Sequence, residues 1–597
     1  MAVGYINRYY AVLPPLKSKQ GWHGPIPANS SESMLQAFRI CVLILSCCAA
    51  GPVMADDQLT PADIQVMRIA YPDLKTLKTL RRMDGFRGLD WREGYAVFEL
   101  YPPQVDQYRQ AGWKLQPDVQ RQAALAQWLA MDYERALRGN PGTIPGYSCY
   151  RTVTQTIDDL EALAAAHPDL AEIQVIGETW QQQQGSADGD DIVVMILRNQ
   201  ASPHPQAPLV VMAAQHAREL ATAEIATRFA ETLLQQQAVD PDIRWLLDHR
   251  AIHIIAQLNP DGRRQVESGA AFWRKNNNET ACPGGNLSTS WPGIDLNRNS
   301  SFLWGNQSSS GNPCSQVYRG TVASSEPETQ SIQSYLASVF AAQRPATDLT
   351  SPAPDDTEGL FISIHSFGEL VLLPWEGLGG TNNNNAPNHD QLTVLGRKFG
   401  FFTDYAVGRW QLLGPAGGTT TDFAYGEFGV AAYTFEVGTT FQQSCSSFEQ
   451  TIWPVNRDAL IYAARAARRP YQTPFGPDIV ELNVALDGDQ LSISGQAADH
   501  RYFRGSVTEP PASDPVANIV QVEISLGVPP YLADQTWTIP VQQPAPQVEF
   551  SGSLPPGIPL QPTQQVFVVA VDADGAIGVP AADAIDSAFF QDGFEAP

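Results

Sequence analysis

Two imidazoles and two carboxylates carry the chemistry legible in this chain. His216 and Glu219 stand three residues apart in Ala213-Ala214-Gln215-His216-Ala217-Arg218-Glu219-Leu220, after an apolar strand pattern and before a helical one. Residues at i and i+3 face the same side of a helical turn, so this pair is spaced to share one metal ion. Taken alone the match is common by chance, and a surface histidine explains it as well. His365 closes the run Phe361-Ile362-Ser363-Ile364. A histidine there is either a structural residue or a ligand, because functional groups of an open α/β sheet come from its strand ends. Glu436 ends Tyr433-Thr434-Phe435, and a carboxylate in an apolar strand is costly unless it is paired or poised for proton transfer.

These residues need a frame to bring them together, and the 597-residue chain is too long for one core, so two to four domains are expected. Residues 56–143 read as a small α+β unit followed by a helix or linker. Val66–Tyr71 and Tyr95–Leu100 are its strands, and Asp73–Met83 and Pro103–Ala111 its helices. Residues 144–472 alternate strand and helix. Leu209–Ala213, Ile252–Leu258, Leu360–Ile364 and Ala432–Glu436 are buried-strand patterns, and Thr156–Ala166 and Ala223–Gln237 are helical ones. That alternation predicts an α/β sheet with helices on both faces. From 475 to 597 the pattern becomes short alternating segments between Pro, Gly and Asp, namely Ile479–Leu486, Leu491–Gly495, Val520–Ser525, Thr536–Val541 and Gln565–Val571. An all-β sandwich is expected there.

Residues 1–55 read as a leader and export signal. After Met34, the natural start on this reading, come Arg39, the apolar stretch Ile40–Ala50 and the small-residue site Val53-Met54-Ala55. A membrane span is the other reading, but the run is short and broken by Gly51-Pro52. Of seven cysteines, Cys41, Cys47 and Cys48 would leave with the signal. Cys149, Cys282, Cys314 and Cys445 remain, none in a C-x-x-C pair, and two disulfides with three possible pairings are expected in an exported chain. A net charge of −25 argues against a nucleic-acid partner, since phosphates would repel it. The chain is expected to act as a monomer, without a membrane span.

In their order along 144–472, the motifs resemble the zinc carboxypeptidase family of the pancreatic carboxypeptidase A type. The resemblance implies a mixed central sheet flanked by helices. It also implies one zinc ion per chain on His216, Glu219 and His365, with a fourth position for water. Arg218 matches an arginine lining the substrate cleft. Phe272-Trp273-Arg274-Lys275 matches the segment whose arginine polarises the scissile carbonyl, making Arg274 the oxyanion stabiliser. Asp295-Leu296-Asn297-Arg298-Asn299 matches the stretch whose Asn-Arg pair, here Asn297 and Arg298, grips the substrate's terminal carboxylate. Asp295 is then the partner that fixes the His216 tautomer. Asn312-Pro313-Cys314-Ser315 resembles the family's cysteine past that loop, implying Cys282–Cys314 and leaving Cys149 for Cys445.

On this resemblance Glu436 is the general base for water attack and then the proton donor to the leaving amine. The substrates implied are peptide or protein C-termini, met outside the cytoplasm, extracellular or periplasmic. Thr421 stands where an acidic family residue selects basic side chains, which argues for neutral or apolar specificity. Residues 56–143 resemble the family's propeptide, so a zymogen cut between Gln116 and Ser148 is expected, with Arg121, Arg135 and Arg138 as candidate sites. A retained accessory domain is the alternative. The family's mobile tyrosine is absent: the equivalent positions are Leu413 or Gly414, and Tyr405 is a possible substitute. Rival readings are a γ-glutamyl or cell-wall peptidase, a deacylase, and an inert secreted binding protein.

Overall fold

The structure, a computed structural model, describes residues 63–585 except 73, 81–82, 84, 91–92, 120, 124–125, 127–142, 284–290, 347, 379–384, 410–411, 488–489, 504–513 and 562–563. The signal segment, Arg135 and Arg138 therefore lie outside the described residues.

In the first unit, β1 (Gln65–Ala70), β2 (Phe86–Asp90), β3 (Tyr95–Leu100) and β4 (Leu115–Pro117) form a sheet in the order β2-β3-β1-β4. Its strands divide their side chains by parity, as a pleat requires. Met67, Ile69, Ala96, Phe98 and Leu100 pack with Leu77, Leu80 and Val105 in a core of their own. The opposite face presents Val66, Tyr95 and Val97, which merge into the core of the next unit. Strand β4 lies where the sequence showed only helix or linker.

After a short pairing of β5 (Thr143–Ile144) with β6 (Tyr147–Arg151), eight strands build the central sheet. They are β7 (Ala171–Glu178), β8 (Asp191–Leu197), β9 (Ala207–Met212), β10 (Arg250–Ile255), β11 (Leu360–His365), β12 (Leu370–Leu372), β13 (Ala406–Gly408) and β14 (Ala431–Glu436). Their order is β13-β12-β14-β11-β9-β10-β8-β7. Strands β14, β11, β9 and β10 run parallel, whereas β12 and β8 pair antiparallel at their flanks, so the sheet is mixed as expected. The four inner strands are also the near-continuous apolar runs, the composition that suits burial on both faces. Helices including Leu220–Gln236, Pro327–Val339, His389–Thr403 and Trp453–Ala466 flank the sheet. Disulfides join Cys149 to Cys445 and Cys282 to Cys314, the pairing the resemblance implied.

The last unit is two stacked sheets. One runs β15-β16-β19 and the other β18-β17-β20-β21, with β15 Asp478–Asp487, β16 Gln490–Ala498, β17 Ile519–Leu526, β18 Trp537–Ala545, β19 Gln547–Ser553, β20 Gln565–Asp572 and β21 Ala581–Ala584. Leu491, Ile493, Val522, Ile524, Phe550 and Val568 fill the space between them. Buried Lys398 meets Asp478 at 3.0 Å where this sandwich docks on the central unit. Among the described residues no helix is long and apolar enough to cross a membrane.

Candidate metal centre

Strand β9 ends at Met212, and the chain turns with Ala214 in the left-handed region at φ 53°. His216 and Glu219 then sit in a turn closed by the 3.2 Å bond from Glu219 N–H to the His216 carbonyl. As expected, they lie between strand and helix on a single turn; the helix starts at Leu220, with Glu219 as its cap residue. The Glu219 side chain makes no capping bond and is directed at the histidines instead. Buried Arg263 donates through Nη2 to the Glu219 carbonyl at 2.9 Å and fixes this turn from below.

His365 comes from the end of β11, far along the chain, yet its Nδ1 lies 3.1 Å from His216 Nδ1 and 3.2 Å from Glu219 Oε2. His216 Nδ1 is in turn 2.9 Å from Glu219 Oε1. The three ligand atoms fall within 4.8 Å of one another, and all three residues are buried. His216 Nε2 stands 3.1 Å from Asp295 Oδ1, so the proton of the neutral ring resides on Nε2. Burial, together with Arg274, lowers the His216 pKa and favours that neutral ring. Its Nδ1 then presents a lone pair toward a carboxylate oxygen and a second imidazole nitrogen. One proton on His365 Nδ1 relieves only one of these contacts, whereas a divalent cation relieves all of them. Two imidazoles and a carboxylate are also a donor set suited to zinc, so the residues fit that ion. Burial alone would raise the Glu219 pKa, but His216 and then His365 hold it well below the usual carboxylate range.

Glu436 is the register partner of His365 in the parallel β11–β14 pair, which sets the two side by side. It is half-buried, and burial, only partly offset by His365, pushes its carboxyl up to about 8. Arg274 directs Nε and Nη2 to Asp295 Oδ2 at 3.1 and 2.9 Å, so one aspartate holds both the histidine and the arginine. Asn297 Oδ1 accepts from Thr420 N–H at 3.1 Å, while Arg298 donates to the Ser308 and Asn297 carbonyls at 3.1 and 2.7 Å. The guanidinium of buried Arg218 lies 3.9 Å from the centre of the Phe441 ring. Thr421 is buried in the helix Thr420–Phe428, against Thr434 of β14. Tyr405 is 2% exposed, and its hydroxyl accepts from Gly438 N–H and Asn456 Nδ2, which commits it to the core.

Sequence reasoning missed two contributors. Arg263 gave no signal, lying in a helix with no motif. Glu376 did give one: it follows Leu372-Leu373-Pro374-Trp375, a carboxylate ending an apolar run just as Glu436 does.

The first unit leans over this site. Arg121 donates through Nε to the Thr439 carbonyl at 2.9 Å, three residues beyond Glu436, and its Nη1 bonds Tyr95 and Asp118 at 2.8 and 2.6 Å. Val66, Val97 and Glu99 face Phe272, Phe367 and Phe441 across a void of about 30 Å³, too small to admit a substrate.

Residues 156–460 match the zinc carboxypeptidase family. Carboxypeptidase A1 of Homo sapiens is 28% identical over 302 residues, covering 49% of this chain and 64% of that protein. The match thus spans less than two thirds of the human protein. A zinc carboxypeptidase of Simulium vittatum is 27% identical over 300 residues, 48% of this chain and 85% of that protein. In fold, the chain is similar to carboxypeptidase A from Helicoverpa armigera (TM-score 0.52, 22% identity, 68% of this chain and 98% of that one). A crystal structure of thrombin activatable fibrinolysis inhibitor is also similar, with TM-score 0.51, 17% identity, and the same 68% and 98% coverage.

Proposed function

The chain belongs to the zinc carboxypeptidase family, and from that premise we propose that it hydrolyses the last peptide bond of peptides and proteins with a free C-terminus. The observation that carries this reading is the convergence of His216 Nδ1, His365 Nδ1 and the Glu219 carboxylate, with Glu436 in register beside them. His216, Glu219 and His365 would hold one zinc ion. When bound, zinc supplies Lewis acidity, acidifying a water and polarising the scissile carbonyl, and its charge draws down the pKa of nearby Glu436.

The chain's own residues do the rest. Glu436 takes the proton of the attacking water and delivers it to the departing amine. Arg274 offers its guanidinium to the oxyanion as the carbonyl becomes tetrahedral, and Asp295 keeps that guanidinium in place. Asn297 and Arg298 clasp the terminal carboxylate, and the two carbonyl bonds of Arg298 orient its fork. Arg218 lines the cleft beyond the scissile bond. With Tyr405 tied into the core, substrate grip rests on Asn297 and Arg298 without a tyrosine hydroxyl.

Residues 56–143 act as an inhibitory pro-domain. The contacts of Val66, Val97 and Arg121 around Phe441 and Thr439 support this. With its side chain engaged at Thr439, Arg121 is a clamp, and the activating cut falls elsewhere between 116 and 148. The signal-like leader and the two disulfides support export.

The test compares a peptide bearing a free C-terminus with its amidated twin, using full-length and clipped protein. Clipped protein shortens only the free peptide, stops on chelation and recovers with zinc. Glu436→Gln binds zinc but trims nothing. Turnover by that variant would remove Glu436 from its role, and equal activity of the clipped and full-length forms would remove the inhibitory role of residues 56–143.

A further inference from the structure

One buried carboxylate in the site has no part in this mechanism. Glu376 is 5% exposed, and its Oε1 accepts a 2.7 Å bond from Thr434 Oγ1. Thr434 Oγ1 is 2.6 Å from Thr421 Oγ1. Since Thr434 gives its proton to Glu376, Thr421 must donate to Thr434, and the two hydroxyls form a relay ending on the carboxylate. Thr421 alone argues for a neutral pocket. In its place in the fold it serves an acid.

Geometry sets where that acid lies. Thr434 precedes Glu436 by two residues on β14, and alternate residues of a strand share a face, so Thr434 stands about 7 Å along the strand from the catalytic carboxylate, on its side of the sheet. Across from it, Thr420 of the same helix as Thr421 donates its N–H to Asn297. Arg298 and His365 are both near enough to act electrostatically on Glu376. A substrate with its terminal carboxylate on Asn297 and Arg298 and its carbonyl at Glu436 must lower its last side chain between these points. Glu376 is the floor it meets.

Below that floor is a second carboxylate. Asp422 accepts N–H bonds from Glu376 and Gly377, each at 2.8 Å. Among the described residues no lysine or arginine nitrogen lies within ion-pair distance of either acid. Burial raises the pKa of both groups, and Glu376 raises Asp422 further. Buried carboxylates with only neutral donors are costly, and a positive charge entering the pocket removes that cost.

We propose that Glu376 is the specificity-determining residue of this pocket and selects substrates ending in lysine or arginine. This rests on the carboxypeptidase reading above. The carboxylate attracts the cationic end of the side chain, while Thr421 and Thr434 keep its acceptor oriented. Apolar ends leave the Glu376 carboxylate without a cationic partner, which is the kind of loss that gives steep discrimination.

The experiment uses matched peptides that differ only in a final Arg, Lys, Leu or Phe, with the clipped protein and its Glu376→Gln and Glu376→Asp variants. The expected result is a kcat/KM for Arg and Lys at least roughly 100-fold above that for Leu and Phe. The ratio should collapse in Glu376→Gln and be largely kept in Glu376→Asp. A preference for Leu or Phe, or a ratio that Glu376→Gln leaves unchanged, would overturn the proposal. A second readout is independent of turnover: titration of zinc-loaded Glu436→Gln, clipped as above, with free arginine and free leucine. Tighter arginine binding supports the pocket assignment even if no peptide is trimmed, in which case only the carboxypeptidase reading falls. Equal binding of the two amino acids contradicts the assignment.

Discussion

The metal corner, at the ends of β9 and β11, and the Glu376–Asp422 pair, beside Thr434 of β14, both bury carboxylates, yet their electrostatics are opposite. At the corner Glu219 faces two imidazoles, which hold its pKa down despite full burial. At the floor Glu376 and Asp422 face hydroxyls and backbone N–H groups, and burial drives both upward. The first arrangement has the donors to keep a dication in place between turnovers. The second has no lysine or arginine within ion-pair distance among the described residues, with Arg298 and His365 acting on Glu376 only from further away, which suits a cation that comes and goes with each substrate. Equal burial therefore does not mean equal function; the neighbours of each acid decide it.

The hardest way to break this contrast is to remove a metal ligand. His365→Ala or Glu219→Gln should abolish stoichiometric zinc by metal analysis and lower peptide trimming by more than roughly 1,000-fold, because two protein ligands do not retain the ion. Full zinc occupancy in either variant would show that the corner is not the metal site. Asp295→Asn sharpens the same point from behind the ligand. It keeps the shape but loses the charge that fixes the His216 tautomer, so zinc affinity in a competition titration should fall roughly 10–100-fold. Arg274 loses its ion-pair partner in that variant as well, so kcat should drop with zinc saturating.

A change that strikes both regions together is loss of the Cys149–Cys445 link, which anchors the segment following β14. Replacing both cysteines with serine should lower unfolding stability by roughly 2–5 kcal/mol in calorimetry or denaturant titration. The smallest effect is in the pH dependence of stability. Glu376 has a folded pKa above its unfolded one, so its contribution is present at acid pH and is lost as pH rises through the folded value. Glu376→Gln lacks this loss. Its melting temperature relative to the parent protein should therefore increase from acid toward alkaline pH, and a constant offset would mean that Glu376 carries no shifted pKa.

The sequence made the corner legible because its residues sit where sequence patterns are strongest. His365 and Glu436 end apolar runs that become inner strands, and His216 and Glu219 belong to a short motif after a third such run. The local form of that motif was legible in part: spacing of three indicated a turn ahead of the helix, which the chain makes, but not the positive φ of Ala214 that leads into it. The floor went unread because its parts come from three separate places, Glu376 after β12, Thr421 on a helix and Thr434 inside β14, and only the fold joins them. In the β-sandwich, β18 runs on through Pro544 to Ala545, beyond the Val541 end expected from the proline. It is an edge strand, where a missing N–H costs no ladder bond, so proline is tolerated. Val548 and Phe550 of β19 do alternate inward, but the prolines just before them hid that strand.

The zinc K-edge absorption spectrum of the purified chain tests the metal corner most directly. Two imidazole nitrogens together with a carboxylate oxygen, and no sulfur, at one zinc per chain is the coordination predicted from His216, His365 and Glu219. A sulfur shell, a single imidazole, or no tightly held zinc would contradict it.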